Sequence, residues 1–216
     1  MPMNMSRKQE KIFSEIRKIW LQKLLPLNGY FAGDLLEKVN LPDQSLLDTC
    51  RLMSDRNSII DQMKKHGVVG EIGTQEGLFA EYILEKTQPT RLHLFDIDLA
   101  PLLKRNNIQL LSKSDQHQGD SSIELEKFSD EYFDWLYIDG DHSYMGVKRD
   151  IAVASRKIKP GGYLIFNDFT IWSPIEMIDY GIPYAVCDFL RENPWQIKFF
   201  ALHSLGYHDI AIQRPI

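Results

Sequence analysis

The sequence predicts an α/β protein built on a doubly wound, mostly parallel sheet. Three observations carry this. From Gly67 onward, short apolar runs alternate with helix-period stretches, as in consecutive βαβ units. The run FDWLYI (133–138) is apolar on both alternating faces, as a central parallel strand must be. Each of the best runs also ends abruptly in acids and glycines, the composition of loops at the carboxyl ends of strands.

The elements are taken in chain order. From Ser6 to about Leu25, Ile12, Phe13, Ile16, Ile19, Trp20 and Leu24 recur at three- and four-residue spacing, which predicts an amphipathic helix stopped by Pro26. Such a stripe can serve a membrane or a partner, but packing on the chain's own domain is expected. After the loop NGYFAGD, helical spacing continues over about 44–66 (Leu46, Leu47, Cys50, Leu52, Met53, then Ile59, Ile60, Met63). No linker divides these residues from the rest of the chain. Residues 1–66 are therefore read as a helical cap of the same domain, and 67–216 as the main α/β body. There VVGEI (68–72) is a strand, GLFAEYILEK a helix and LHLFDI (92–97) a strand. A polar stretch without clear period separates these from FDWLYI. Val147, Ile151, Ala154 and Ile158 line a helix, KPGG (159–162) is expected to end it and turn the chain, and YLIF (163–166) is the next strand. PYAVCDFLREN reads as a helix, then WQIKFFAL and YHDIAIQR as two strands.

Composition narrows the function. A net charge of −5 with scattered Lys and Arg offers no basic stripe for nucleic acid. Cys50 and Cys187 lie far apart without CxxC spacing, so neither a disulfide framework nor a zinc site is indicated. No segment approaches the roughly 20 apolar residues of a membrane span. A cytoplasmic protein without nucleic-acid or membrane partners is expected.

The strand ends hold the candidate site residues. Glu71-Ile72-Gly73-Thr74-Gln75-Glu76-Gly77 closes the first strand of the body and leads out of it. Gly73 lets a ligand approach the backbone and Gly77 opens the next helix, but the spacing is not GxGxxG, which disfavours a dinucleotide pyrophosphate. Asp96, inside FDID, suits the two hydroxyls of a ribose, while Asp98 suits a helix cap. YIDGDHSY (137–144) delivers Asp139, Asp141 and His142 to one strand end.

E-I-G-T-x-x-G, FDID, QGDSS (118–122), YIDGDHSY and KPGGYLIFNDF, in this order, resemble a class I S-adenosylmethionine-dependent methyltransferase. More narrowly they are similar to the small-molecule O-methyltransferase-like group with D-G-x-H after its fourth strand. The match covers about residues 67–170; residues 1–66 match only loosely. The resemblance implies a Rossmann-like, seven-stranded sheet behind the helical cap. It implies that Glu71, Gly73, Thr74 and Gly77 form the cofactor loop, with Glu71 and Gly73 facing the methionine. Asp96 would take the ribose hydroxyls, Asp120 and Ser121 would border the adenine, and Asp139 would sit at the sulfonium end. In metal-dependent members Asp139 is joined by two ligands that here read Asn167 and Asp168, for Mg2+ or another divalent cation. Asn167 stands where many such relatives carry an acid, which weakens a hard-cation site. His142, three residues after Asp139, is the implied general base.

The leading expectation is a methyl transfer to a hydroxyl of a small molecule, optionally metal-assisted. The alternative is a non-catalytic or hydroxylase-like member of the same fold; the six histidines show no 2-His-1-carboxylate set for iron. The cap and the loop 170–183 are expected to build the acceptor pocket, and a homo-oligomer is allowed.

Overall fold

A computed structural model describes residues 6–24 and 39–216, so Pro26 and the NGYFAGD loop lie outside the described residues. The chain divides into two units, one ending at Val39 and the other comprising Asn40–Ile216.

In the first unit, α1 (Arg7–Ile19) starts with a capping box in which Ser6 and Gln9 satisfy each other's backbone amides. It runs into a π-helical turn, Trp20–Leu24. None of the residues of α1 is buried.

The second unit begins with a correction. The stretch 44–66, expected to be helical, contains a 3-10 turn (Gln44–Leu46), a strand β1 (Arg51–Met53) and a five-residue helix α2 (Arg56–Ile60). The boundary drawn at residue 66 therefore falls inside this unit. Strand pairing has overridden the helical spacing. A helix as short as α2 is marginal alone; it is held by the fully buried Ile59 and Ile60 and by Asp55, whose carboxylate accepts from the Ser58 amide at 2.8 Å.

Next come β2 (Val68–Ile72), α3 (Leu78–Thr87), β3 (Arg91–Asp96), α4 (Ala100–Arg105), α5 (Ile108–Ser112), β4 (Ser114–Gln118) and α6 (Ser121–Glu126). After them stand β5 (Phe133–Ile138), α7 (Tyr144–Lys157), β6 (Ile158–Phe166), the ribbon β7 (Trp172–Ser173) and β8 (Ile178–Asp179), α8 (Ile182–Glu192), β9 (Gln196–Ala201) and β10 (Asp209–Gln213). One eight-stranded sheet has the order β1-β9-β10-β6-β5-β2-β3-β4. Only β10 runs antiparallel to its neighbours. The Rossmann-like, mostly parallel sheet is as expected, with eight strands in place of seven because β1 pairs with β9.

Residues alternate faces along a strand. In β5, Leu136 and Ile138 join one core cluster with Val147, Ile151, Val186 and Leu190 of the helices. Trp135 and Tyr137 join the other, with Ile59, Ile60, Ile83 and Leu102. Both faces of the sheet are thus covered. KPGG does not turn the chain away from the sheet; β6 runs through it, and four of its residues oppose one of β5 as the register jumps from Phe133–Ile158 to Trp135–Tyr163. Gly161 (φ +75°) permits this bulge, and Gly162 lies where a Cβ would meet the Asp134 carbonyl oxygen at 2.5 Å.

The strand order reverses at β2, which has β3 on one side and β5 on the other. Loops leaving β2 and β5 part there, opening a crevice at the carboxyl ends.

Candidate active site

Two clefts share that crevice. The first, about 360 Å³, is lined by Gly73, Asp96, Ile97, Asp120, Ser121 and Asp139 among others. The second, about 390 Å³, is lined by Arg56, Asp139, His142, Asp168, Glu176 and Tyr180 among others. Asp139 and Gln75 border both clefts, so these two residues mark the seam.

Gly73 makes the seam possible. Its φ of +84° is open to glycine, and a Cβ there would fall 1.9 Å from the Asp139 carbonyl oxygen. The Asp139 amide donates to the Ile72 carbonyl at 2.8 Å and the Gly73 amide to the Phe95 carbonyl at 2.8 Å, lashing the three strand ends together.

Asp96 is half-buried at the end of β3. One carboxylate oxygen accepts from the Gln75 amide (2.7 Å) and the other from the Asp98 amide (3.0 Å). A carboxylate offers about four acceptor sites. One on each oxygen therefore remains for a diol. Asp120 caps α6, accepting from the amides of Ser122 and Ile123, and together with the bond from the Ser122 hydroxyl these hold its pKa below the usual carboxylate value. Ser121 donates to Asp150 at 2.5 Å. Burial pushes Asp150 up to about 6 against that bond.

Glu71, Thr74 and Gly77, expected in the cofactor loop, are buried and line neither cleft. Gly77 (φ +77°) begins α3 against Leu102 and Leu110, and the Thr74 hydroxyl donates to the Glu71 carbonyl at 3.4 Å. Thr74 and Gly77 shape the loop from behind the clefts. Glu71 is 2% exposed and one carboxyl oxygen, Oε2, has no hydrogen-bond partner. Burial, reinforced by Asp139, raises its pKa to about 8. Its surroundings favour the protonated, neutral form.

In the second cleft His142 lies between β5 and α7. Its Nε2 lies 3.4 Å from Asp139 Oδ1 and 3.9 Å from Asp168 Oδ2. These are ion-pair distances without an aligned hydrogen bond, and Nε2 has no hydrogen-bond partner. Burial opposes charge on the ring, but Asp139, Asp168 and Glu176 outweigh it and raise the pKa. Burial and Asp139 push Asp168 up to about 6, and its backbone takes the left-handed φ of +55°.

The metal set Asp139, Asn167 and Asp168 is not assembled. The Asn167 amide donates to the Tyr137 hydroxyl (3.1 Å) and to Asp209 (3.4 Å), turning it into a buried network. The His142 ring reaches both carboxylates that would flank an ion. Among the described residues no group of three His, Cys, Asp or Glu side chains is arranged to hold a metal. The donors present do not fit Mg2+.

Sequence reasoning did not single out Arg56, which lines this cleft, or Asp209, which is buried beside Asn167. Arg56 lies over the Phe79 ring at 4.2 Å; burial lowers its pKa, but Tyr137, Asp209 and Asp139 outweigh this and raise it. Asp209, accepting from the Tyr137 hydroxyl at 2.6 Å, is pushed by burial up to about 7. Tyr180 comes from the loop that the sequence assigned to the acceptor pocket, as do Ser173 and Glu176.

Residues 71–169 match the model of a methyltransferase domain family. A mimivirus protein from Acanthamoeba polyphaga mimivirus, "Uncharacterized protein R132", is 26% identical over 85 residues, 38% of this chain and 38% of that protein. The chain thus spans about two fifths of the length of the curated relative it matches. Among solved structures, a SAM-dependent methyltransferase from Aquifex aeolicus superposes with a TM-score of 0.54, at 13% identity, over 79% of this chain and 92% of that one. An O-methyltransferase family protein from Burkholderia thailandensis gives 0.55 at 13% identity, over 74% and 55%. At such identities the likeness establishes the fold.

Proposed function

We propose, from a chain with the Rossmann-like methyltransferase fold whose residues 71–169 match a methyltransferase domain, that it transfers a methyl group from S-adenosylmethionine to a hydroxyl of a small molecule. The observation that carries this reading is the place of His142, whose Nε2 lies 3.4 Å from Asp139, one of the two residues bordering both clefts.

The first cleft fits the cofactor. Its volume lies within the usual range of small-ligand sites, Asp96 has acceptor capacity left for a ribose, and glycine at position 73 keeps the seam free of side chain. When bound, S-adenosylmethionine supplies an electrophilic methyl group. The chain does the rest. Arg56, Glu176 and Tyr180 border the space left for the acceptor. Neutral His142 takes the proton from the acceptor oxygen as that oxygen becomes nucleophilic. Asp139 and Asp168 then stabilise the imidazolium, as their effect on its pKa requires. A small acceptor is favoured by the size of the second cleft.

Calorimetric titration with S-adenosylhomocysteine tests the cofactor half of this reading. Binding is expected; no binding, or preference for NAD, overturns it. The base is tested separately by His142→Gln.

A further inference from the structure

We propose that α1 with its π-turn docks the protein on an anionic lipid surface, lying in the interface with its apolar stripe inserted. This departs from the sequence-based expectation of no membrane partner. It is independent of the reaction.

Ile12, Phe13, Ile16 and Ile19 are all about half exposed, and no residue of α1 is buried. At 3.6 residues per turn these four and Trp20 fall within an arc of about 120°. On the same projection Lys8 lies about 20° beyond one margin of the arc and Arg17 about 40° beyond the other. Arg7, Lys11 and Lys18 point away from the stripe. Between Arg7 and Leu24 stand six of the 25 basic residues of the chain and two of its 30 acidic ones. The helix is thus strongly cationic in an acidic protein.

That pattern selects the occupant. Interfacial helices combine a strong apolar face with low overall hydrophobicity, basic side chains on the polar face and aromatic residues at headgroup depth. Lys8 and Arg17 stand where long side chains reach headgroups while their stems lie along acyl chains. A second copy of the helix is a poorer partner, because its net positive charge opposes pairing with itself. The acidic remainder of the chain is repelled by an anionic surface, which confines attachment to this element. No membrane span is implied; among the described residues no helix is long and apolar enough to cross a bilayer.

The test is co-sedimentation of the full chain with phosphatidylcholine vesicles containing or lacking phosphatidylglycerol, alongside light scattering for oligomeric state. Partition into the anionic vesicles only, weakened as salt rises, is expected. Ile16→Glu should lower it at least tenfold, and Lys8→Glu with Lys11→Glu about fivefold or more per charge. Unchanged melting temperatures show that the variants fold. Absence of partition into anionic vesicles at low salt overturns the proposal. So does partition unaffected by Ile16→Glu, or a dimer that Ile16→Glu dissociates while no vesicle binding occurs.

Discussion

The Tyr180 ring lies flat against the His142 ring, with centroids 4.5 Å apart and planes within 8° of parallel. The next residue, Gly181, donates its amide to the His142 carbonyl at 2.7 Å. The loop after β6 therefore fixes both the backbone and the ring of the proposed base. A Cβ on Gly181 would fall 2.0 Å from the Tyr144 amide nitrogen, so this loop sits flush on the start of α7.

The first prediction concerns that stack. Tyr180→Ala should cut turnover about tenfold or more, because a general base off by an ångström loses most of its effect. Tyr180 is buried, so truncation also costs about 3–5 kcal/mol of stability. Tyr180→Phe keeps the ring and gives up the hydroxyl with its bond to Glu176 at 2.9 Å. It should retain near-normal rates. Equal loss in both variants would show that the hydroxyl, not the stack, matters.

His142→Gln should lower turnover by roughly 10²- to 10⁴-fold and leave S-adenosylhomocysteine affinity unchanged, since a base acts on the acceptor. Its carboxylate neighbours hold the His142 pKa above 6.5, so the rate should rise with pH through a point above that value as the ring loses its proton. Asp168→Asn removes one of the charges that favour the imidazolium. The acid limb of the pH–rate profile should then move to lower pH. A shift to higher pH, or none, would contradict the electrostatics described for the second cleft.

Replacing Asp96 by Ala should weaken S-adenosylhomocysteine binding by about 1.5–3 kcal/mol, the loss of charge-assisted bonds to a diol. Calorimetry reads this directly. Because Asp96 also accepts from the Gln75 and Asp98 amides, a melting curve of the variant must accompany it. A folded variant with wild-type affinity would remove the ribose assignment.

Glu71 predicts how stability depends on pH. Burial raises its pKa from 4.5 to about 8, so between those values the folded chain keeps a proton that the unfolded chain has released. Stability linked to this group is therefore complete below the unfolded value and lost as pH rises through about 8. Asp209, raised to about 7, acts in the same direction. Melting temperature should fall between about pH 4.5 and pH 8 and level off above that, and Glu71→Gln should flatten the decline. An equally steep curve in Glu71→Gln would show that other groups govern it.

The sequence disclosed most of what has a strong period. VVGEI, FDWLYI and YHDIAIQR form strands near their expected bounds because burial on the sheet imposes alternation or continuous apolarity on them. Residues at or just beyond the carboxyl ends of the parallel strands, Gly73, Asp96, Asp139 and His142, meet at the crevice because parallel topology puts these loops on one side. Three features were illegible for a common reason. The strand Arg51–Met53, the strand SDQHQ and the bulge through KPGG owe their form to a neighbouring strand distant in sequence, not to local spacing. Arg56 and Asp209 escaped notice similarly: each stands in an ordinary-looking local context, and only the sheet order brings both near Tyr137. Glu71 could be read as special from its place in an apolar strand, but not its burial without a partner for Oε2.

The two outermost strands bear on behaviour at high concentration. β1 has three residues and β4 reads Ser-Asp-Gln-His-Gln, with no aliphatic side chain. An open sheet ends in unpaired amides and carbonyls that can template strands of another molecule, and short or polar margins are a usual protection. The apolar strands β5 and β2 lie well inside, shielded on both sides by partners. Lateral growth into fibrils would have to start on the least adhesive parts of the sheet, so the same polarity that hid β4 from a hydrophobic-period reading guards the folded chain against self-templating.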